Sequence, residues 1–333
     1  MLAKNATFPM FGWRRTLTML AVPSTNRRSA RPGRAFAAAL CPPPPTSTMQ
    51  VRKAVITAAA PQQNRLPLQQ LVDRRGRERT AISLIVEEAT SAGVEDVAIV
   101  IRPGDQPAYE SATEDAAGNL QFITQDQPRG YADALAHARD FVDRETFLHL
   151  VGDHLYVENG DRPCATQLIA MADAHQCSVS AVQDTRETNL PHFGVVSGPR
   201  VPREERLFEV EKVIEKPTPT QAEQELITPG LRSGRYLAFF GMHVLTSEVM
   251  NLLCDVVDDP KLDRPTLSDA LARLPGRGRY LAHQIQGSRY NLAATYGLLR
   301  AQLAIGLAGR DRDLILTELI DVLATRAEGA AHA

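Results

Sequence analysis

The chain has 333 residues, 44% hydrophobic and 23% charged, which are ordinary values for a globular protein. Seven of its 37 basic residues lie in residues 1–48, where there is no Asp or Glu; the other 30 face 39 acidic residues, so the remainder carries a charge of about −9. This acidic balance disfavours nucleic-acid partners, and no apolar run approaches the ~20 residues that span a bilayer, which disfavours a membrane partner. The four cysteines are scattered and form no C-x-x-C pair, which indicates no zinc site and fits a cytoplasmic location.

The first 48 residues are rich in Arg, Ser, Thr and Pro, and we expect a disordered tail there. Their composition is typical of an organelle transit peptide and also of translated upstream sequence, since Met49 stands just before the first apolar run. We expect an α/β domain over residues 49–290 and a C-terminal helical extension over 291–333.

Apolar runs and helical spacing alternate along this domain. Residues 51–58 are a predicted strand, Thr80 caps a helix that stops at Gly93, and 96–101 is a second buried strand. Strand, helix and strand within ~50 residues predict a right-handed βαβ unit. Because the alternation continues to residue 182, we predict a doubly wound, Rossmann-like α/β fold with a mixed, mostly parallel sheet.

The second half of the chain has a shorter and more mixed pattern. We expect extended segments at 193–196 and 207–214, a strand at 236–245, and amphipathic helices at 290–306 and 314–326. The two helices either pack on their own domain or form a homo-oligomer interface.

The apolar run over residues 145–156 is interrupted at Gly152 and Asp153. Such a run is typical of a strand buried on both faces of a parallel sheet, and open α/β sheets bind ligands at the carboxyl ends of their strands. Asp153 is therefore the first candidate site residue. The alternative is an ordinary strand end, because Gly-Asp is also common in turns.

Four local patterns follow one another along the chain. Gln125 precedes Gly130 and two alternating alanines at a strand-to-helix junction; then come Gly152 with Asp153, the run Phe-Gly-Val-Val around Gly194, and the run Val-Ile-Glu-Lys-Pro around Glu215. Together they resemble the sugar-phosphate nucleotidylyltransferases, and most closely the bacterial UTP:glucose-1-phosphate uridylyltransferases. The resemblance extends from about residue 51 to residue 306.

The resemblance implies an enzyme that forms UDP-glucose and pyrophosphate from UTP and glucose 1-phosphate with Mg²⁺. In that family the residue matching Gln125 reads the pyrimidine edge, and the one matching Gly130 lets the base approach closely. The family residue that matches Asp153 binds the catalytic Mg²⁺.

The same resemblance implies three residues for the sugar phosphate. In the family, the residues that match Gly194 and Glu215 contact the sugar, and the residue that matches Lys216 binds its phosphate. These roles fit the chemistry, because the attacking phosphate oxygen is already ionised and the reaction needs alignment and charge neutralisation more than a base.

Two departures from the family pattern leave a second hypothesis open. The loop at residues 60–67 lacks the expected glycines and lysine, although Arg65 lies one position beyond the expected arginine and is a candidate for the triphosphate. Asn291 stands where the family has a second metal-binding aspartate. The alternative is a catalytically inactive homologue that binds a nucleotide sugar or a sugar phosphate, or that partners an active paralogue.

Overall fold

The computed structural model describes residues 49–61 and 65–331, with side chains described as far as residue 325. The tail predicted over 1–48 lies outside these residues. The strands are β1 (Lys53–Thr57), β2 (Gln70–Val72), β3 (Glu78–Thr80), β4 (Asp96–Ile101), β5 (Asn119–Thr124), β6 (Phe147–Val151), β7 (His154–Glu158), β8 (Ser178–Arg186), β9 (Gly194–Ser197), β10 (Leu207–Glu209), β11 (Lys212–Glu215), β12 (Arg235–Leu245), β13 (Tyr280–Gln284) and β14 (Gly287–Asn291). The helices are α1 (Ala81–Ser91), α2 (Gln106–Ala112), α3 (Tyr131–Ala136), α4 (Arg139–Val142), α5 (Cys164–His175), α6 (Pro219–Glu225), α7 (Ser247–Val257), α8 (Leu267–Leu271), α9 (Gly297–Leu307) and α10 (Arg312–Ala331).

A mixed sheet of ten strands, counted among the described residues, runs in the order β10-β13-β8-β12-β6-β1-β4-β5; in addition β9 pairs with β12, and β11 pairs with β9. Strands β6, β1, β4 and β5 are parallel, and β12 is antiparallel to β6. The chain moves outward from β1 to β4 and β5 and then returns to β6 on the other side of β1. Such a reversal opens a crevice at the carboxyl ends of β1 and β6. The doubly wound α/β fold with a mixed sheet is confirmed.

Alternate residues of β1 belong to two different cores. Ala54 and Ile56 pack with α1, α5 and α9 on one face, and Val55 packs with α3, α7 and α8 on the other. Since neighbouring side chains of a strand point to opposite faces, a strand covered on both faces must be apolar throughout. The apolar run of β1 thus follows from its central position.

The boundaries of α1 follow the predicted caps. The Thr80 hydroxyl accepts a hydrogen bond from the Ser83 amide at 3.2 Å, which satisfies one of the free N–H groups at the helix start. Gly93, with a φ of +94°, follows the last turn, where glycine adopts the left-handed conformation at little cost.

Several element boundaries differ from the predictions. Residues 287–291 form β14, which pairs with β7, so the start predicted for the helix at 290–306 is wrong and α9 begins at Gly297. Between the first predicted strand and the helix capped by Thr80, where no strand was predicted, the chain forms the β2–β3 hairpin. Its turn is closed by Asp73 Oδ1, which accepts from the Arg75 and Arg77 amides at 2.8 and 2.9 Å.

The segment predicted over 207–214 consists of two strands with different partners, because β10 pairs with β13 and β11 pairs with β9. These partners are distant in sequence, so a local pattern does not reveal them. Within the described residues, no helix combines the length and the apolar character needed to cross a membrane.

Candidate active site

Asp153 lies at the switch point of the sheet, in the turn between β6 and β7. The preceding Gly152 donates its amide to the Thr57 carbonyl at 2.9 Å, and a Cβ at Gly152 would lie only 2.8 Å from that oxygen. Asp153 is 4% exposed, and its Oδ1 has no hydrogen-bond partner among the described residues. Burial raises the pKa of this carboxyl to about 6. A buried carboxylate oxygen without a partner is a candidate ligand for a cation.

Asn291 lies beside Asp153. The β7–β14 ladder pairs Asn291 with His154, and the Leu292 amide donates to the Asp153 carbonyl at 2.9 Å. The Asn291 side chain accepts a hydrogen bond from the Ala293 amide at 2.8 Å through Oδ1. The side-chain oxygen of Asn291 is therefore already engaged in a hydrogen bond with the backbone that follows β14.

Gly194 and Glu215 face each other across the β9–β11 ladder. A Cβ at Gly194 would lie 2.8 Å from Glu215 Oε2 and 2.6 Å from Ser268 Oγ. Ser268, on α8, donates to Glu215 Oε2 at 2.6 Å. The structure thus brings two of the proposed sugar contacts together, and it adds Ser268, which the sequence analysis did not find.

Lys216 follows directly after β11. It has a φ of +47°, in the left-handed region that favours glycine, and its amide donates to the Phe193 carbonyl at 3.1 Å. The side chain is 59% exposed, and Nζ lies 3.8 Å from Glu215 Oε1. This backbone turn presents an exposed ammonium group beside Glu215.

Arg289 connects the Asp153 region to the segment that carries Gly194. Its guanidinium lies 3.9 Å from the centre of the Phe193 ring, donates to the Phe239 carbonyl and lies within electrostatic reach of Asp153. Burial lowers the pKa of Arg289 to about 10, so the group stays cationic at neutral pH. Strand alternation places residues 289 and 291 on one face, so Arg289 could have been found from its spacing to Asn291. The sequence analysis missed it because it predicted a helix from residue 290.

Tyr131 is a further polar group at the site. Asp153 and Glu215 both influence its hydroxyl electrostatically, and burial raises its pKa. Tyr131 Oη hydrogen-bonds to His149 Nε2, while His149 Nδ1 lies 2.9 Å from the Val55 carbonyl. Because a carbonyl only accepts, Nδ1 carries the proton and Nε2 accepts from the tyrosine. Burial lowers the pKa of His149 to about 4, so this histidine is neutral.

Gln125 and Gly130 lie at the junction of β5 and α3. Gln125 is 4% exposed, and its Nε2 donates to Asp133 Oδ2 at 2.7 Å. Gly130 has a φ of +129°, and a Cβ there would lie 2.9 Å from the Pro265 carbonyl. Glycine at this position is required by the close approach of the backbone near α8.

Arg65 follows β1 at the same edge of the sheet, and its side chain is exposed. Residues 74–79 contain several arginines, and three of them are paired with carboxylates. Arg74 binds Glu158 through two nitrogens, Arg77 binds Asp73 at 2.8 Å, and Arg79 binds Asp115 at 2.6 Å and Glu87 at 3.1 Å. These three arginines stabilise the β2–β3 hairpin and its neighbours.

The donors around Asp153 suit a hard cation that also binds phosphates. Mg²⁺ typically takes one or two carboxylates and completes its shell with phosphate oxygens and water. Among residues 49–61 and 65–331, no group of three or more His, Cys, Asp and Glu side chains is arranged to hold a metal. A single buried carboxylate fits Mg²⁺ with a bound triphosphate better than a closed structural metal site.

Comparison with known proteins assigns the class. The family model for nucleotidyl transferases matches residues 68–288, more than half of the chain, and the chain belongs to this family.

One curated relative and two solved structures are similar to most of this chain. UTP–glucose-1-phosphate uridylyltransferase 1 from Streptococcus pyogenes serotype M3 is 27% identical over 285 residues, which cover 78% of this chain and 90% of the relative. A structure of UDP-glucose pyrophosphorylase complexed with UDP-glucose has a TM-score of 0.63 at 22% identity and covers 77% of this chain and 98% of its own. UDP-glucose pyrophosphorylase from Acinetobacter baumannii has a TM-score of 0.65 at 21% identity, with coverages of 82% and 100%. At these identities the solved structures show the same fold.

Proposed function

We propose that the protein transfers a uridylyl group from UTP to glucose 1-phosphate, forming UDP-glucose and pyrophosphate. The observation that carries the proposal is the arrangement around Arg289, which lies near Asp153 and stacks on Phe193. Phe193 precedes Gly194, and its carbonyl accepts from the Lys216 amide. Glu215 lies against Gly194 across the β9–β11 ladder. A candidate cation ligand, the Gly194–Glu215 pair and an exposed ammonium group are thus connected through Arg289 and Phe193. The uridylyltransferase relative supports the choice of reaction.

In the proposed reaction an oxygen of the sugar phosphate attacks the α-phosphorus of UTP. The bond between the α-phosphorus and the oxygen that bridges to the β-phosphorus breaks, and its electron pair leaves with pyrophosphate. Mg²⁺ held by Asp153 would neutralise charge on the triphosphate. The protein then has to align the two phosphates and stabilise the charge that develops on them.

Two residues orient the sugar phosphate in this proposal. Lys216 pairs with its phosphate as an exposed cation, and Glu215 accepts hydrogen bonds from sugar hydroxyls. Ser268 holds Glu215 Oε2 at 2.6 Å and so fixes the carboxylate that faces Gly194. Because Gly194 has no side chain, Glu215 and Ser268 have room to take up this arrangement.

The nucleotide lies along the edge between Asp153 and Gln125 in this proposal. Gln125 reads the base, Gly130 opens the start of α3, and Arg65 reaches the triphosphate from the loop after β1. Asn291 lies beside Asp153 and supplies an amide where the family has a second carboxylate, so the metal site depends mainly on Asp153.

The alternative, a silent homologue that binds a nucleotide sugar, is favoured by one observation. Asn291 Oδ1 is engaged with the Ala293 amide and adds no charge to the metal site. The experiment that separates the two is pyrophosphate release from UTP and glucose 1-phosphate with Mg²⁺, in the wild type and in Asp153→Asn. Turnover that falls at least ~100-fold in the variant supports the enzyme. Absent turnover with UDP-glucose binding retained in calorimetry supports the silent homologue, and binding of neither ligand contradicts both.

We also propose a cytoplasmic location and a homo-oligomer formed through α10. The location is supported by Cys164, Cys177 and Cys254, which are free thiols. The oligomer is supported by large apolar side chains that α10 exposes, namely Leu314, Ile320, Val322 and Leu323. Large apolar side chains that are exposed to solvent are candidates for contacts with a second copy of the chain.

A further inference from the structure

Two neighbours determine the orientation of the Gln125 side-chain amide. Its Nε2 donates to Asp133 Oδ2 at 2.7 Å and to the Gly130 carbonyl at 3.3 Å. A primary amide nitrogen carries two N–H groups, so both donors are engaged. Gln125 is 4% exposed and Asp133 is 1% exposed, so solvent competes little for these bonds.

The reversed amide orientation is excluded by the same contacts. Turning the amide by half a turn would place Oε1 against the Asp133 carboxylate and the Gly130 carbonyl, which are both acceptors. Arg129 Nη2 donates to Asp133 Oδ1 at 2.7 Å, which keeps the carboxylate in place as an acceptor. The orientation of Gln125 therefore follows from hydrogen-bond chemistry.

The Gln125 side chain then has only its oxygen, Oε1, available to a ligand, and this oxygen can only accept a hydrogen bond. Gln125 Oε1 receives no hydrogen bond from the residues that the structure describes, and it is not among their fully buried unpaired atoms. Gln125 directly follows β5, so it lies at the carboxyl edge of the parallel strands, where open α/β sheets bind their ligands. A group that binds Gln125 from that edge must donate a hydrogen bond.

We infer that Asp133 is a positioning residue that makes Gln125 an obligatory acceptor and so selects pyrimidines protonated at N3. Uracil and thymine present an N3–H donor between two carbonyl groups, whereas cytosine presents a lone pair at N3. A lone pair facing Oε1 is repulsive, and a methyl group at C5 does not alter the N3–H donor. The inference rests on the proposed function, since it assumes that a nucleoside triphosphate binds at this edge.

The test is calorimetric titration of the full chain with UTP, 5-methyl-UTP and CTP in the presence of Mg²⁺. The wild type should bind UTP and 5-methyl-UTP within a few-fold of each other and CTP at least ~10-fold more weakly, the usual scale for one mismatched hydrogen-bonding edge. In Asp133→Asn, the amide oxygen stays with Arg129 and the amide nitrogen faces Gln125. Gln125 then turns over, and the preference for UTP over CTP should fall about 10-fold.

The matched control is Asp140→Asn, which removes the same charge from an exposed acid on the neighbouring helix and should leave the UTP:CTP ratio unchanged. If wild-type protein binds none of the three triphosphates, the proposed function is overturned, and this inference with it. If wild-type protein binds CTP as tightly as UTP, only the inference is overturned, and this result does not depend on the folding of any variant. A folded Asp133→Asn protein that keeps the wild-type ratio also overturns it.

Discussion

Glu215 Oε2 lies 2.8 Å from the position that a Cβ of Gly194 would occupy. The two residues are paired across the β9–β11 ladder, 21 positions apart in the chain. Phe239 and Ser268 close the same space, each with an atom 2.6 Å from that Cβ position. The glycine is therefore required by packing around the carboxylate that we propose accepts hydrogen bonds from the sugar.

Gly194→Ala should weaken binding of glucose 1-phosphate by about 10-fold or more, because the new methyl group displaces Glu215 and Ser268. Overpacking should also lower the free energy of unfolding by about 1–3 kcal/mol. Calorimetry and urea denaturation measure the two effects. Gly160→Ala is the control, since a Cβ there meets nothing within 4 Å. Unchanged sugar-phosphate binding in Gly194→Ala would remove Gly194 and Glu215 from the proposed site.

Lys216→Gly should lower kcat/KM by roughly 100-fold, since it removes the cation proposed for the sugar phosphate. The free energy of unfolding should change by less than about 1 kcal/mol, because glycine relieves the left-handed backbone while making the unfolded chain more flexible. Steady-state kinetics and thermal denaturation measure these quantities. Asp143→Gly is a matched control, since Asp143 is exposed and has a φ of +54°. Equal activity losses in both variants would point to a backbone effect and would contradict the role of Lys216.

The buried histidines should make the fold sensitive to acid. Burial lowers the pKa of His149 to about 4 and that of His243 well below its usual value. The unfolded chain therefore takes up these protons first, so the free energy of unfolding is unaffected above about pH 6.5 and falls as the pH drops toward 4. His149 alone should contribute a loss on the order of 3 kcal/mol.

His149→Gln, which is neutral at every pH, should flatten this dependence in urea titrations between pH 7 and pH 4.5. The exposed His192 supplies the control variant His192→Gln, which should keep the wild-type slope. A slope that is the same in all three proteins would show that His149 is not the group responsible.

Leu323→Glu should dissociate the proposed homo-oligomer, because it places a charge among the exposed apolar side chains of α10, where Leu323 is 69% exposed. Light scattering after size exclusion measures the mass. Thr220→Glu adds the same charge at an exposed position of α6, outside the proposed interface, and should leave the assembly intact. A wild-type protein that is monomeric at micromolar concentration would show that α10 does not mediate self-association.

Local sequence was sufficient wherever one element determined the outcome. The strand at Asp96–Ile101 and the helix capped by Thr80 were predicted with correct boundaries or nearly so, because burial on both faces and capping leave local patterns. The placement of Asp153 at the carboxyl end of a central strand was likewise readable. The β14 strand was not, because a short amphipathic segment suits either a strand or a helix until its partner β7 is known.

The sequence by itself determined the doubly wound architecture, the family and the candidate residues, since apolar periodicity and motif order are local properties of the chain. Only the tertiary structure decided that Ser268 holds Glu215, that Arg289 stacks on Phe193, and that Asp133 orients Gln125. Such contacts depend on which strands and helices become neighbours. That is decided by how the whole sheet buries its two faces, and no single stretch of sequence records it.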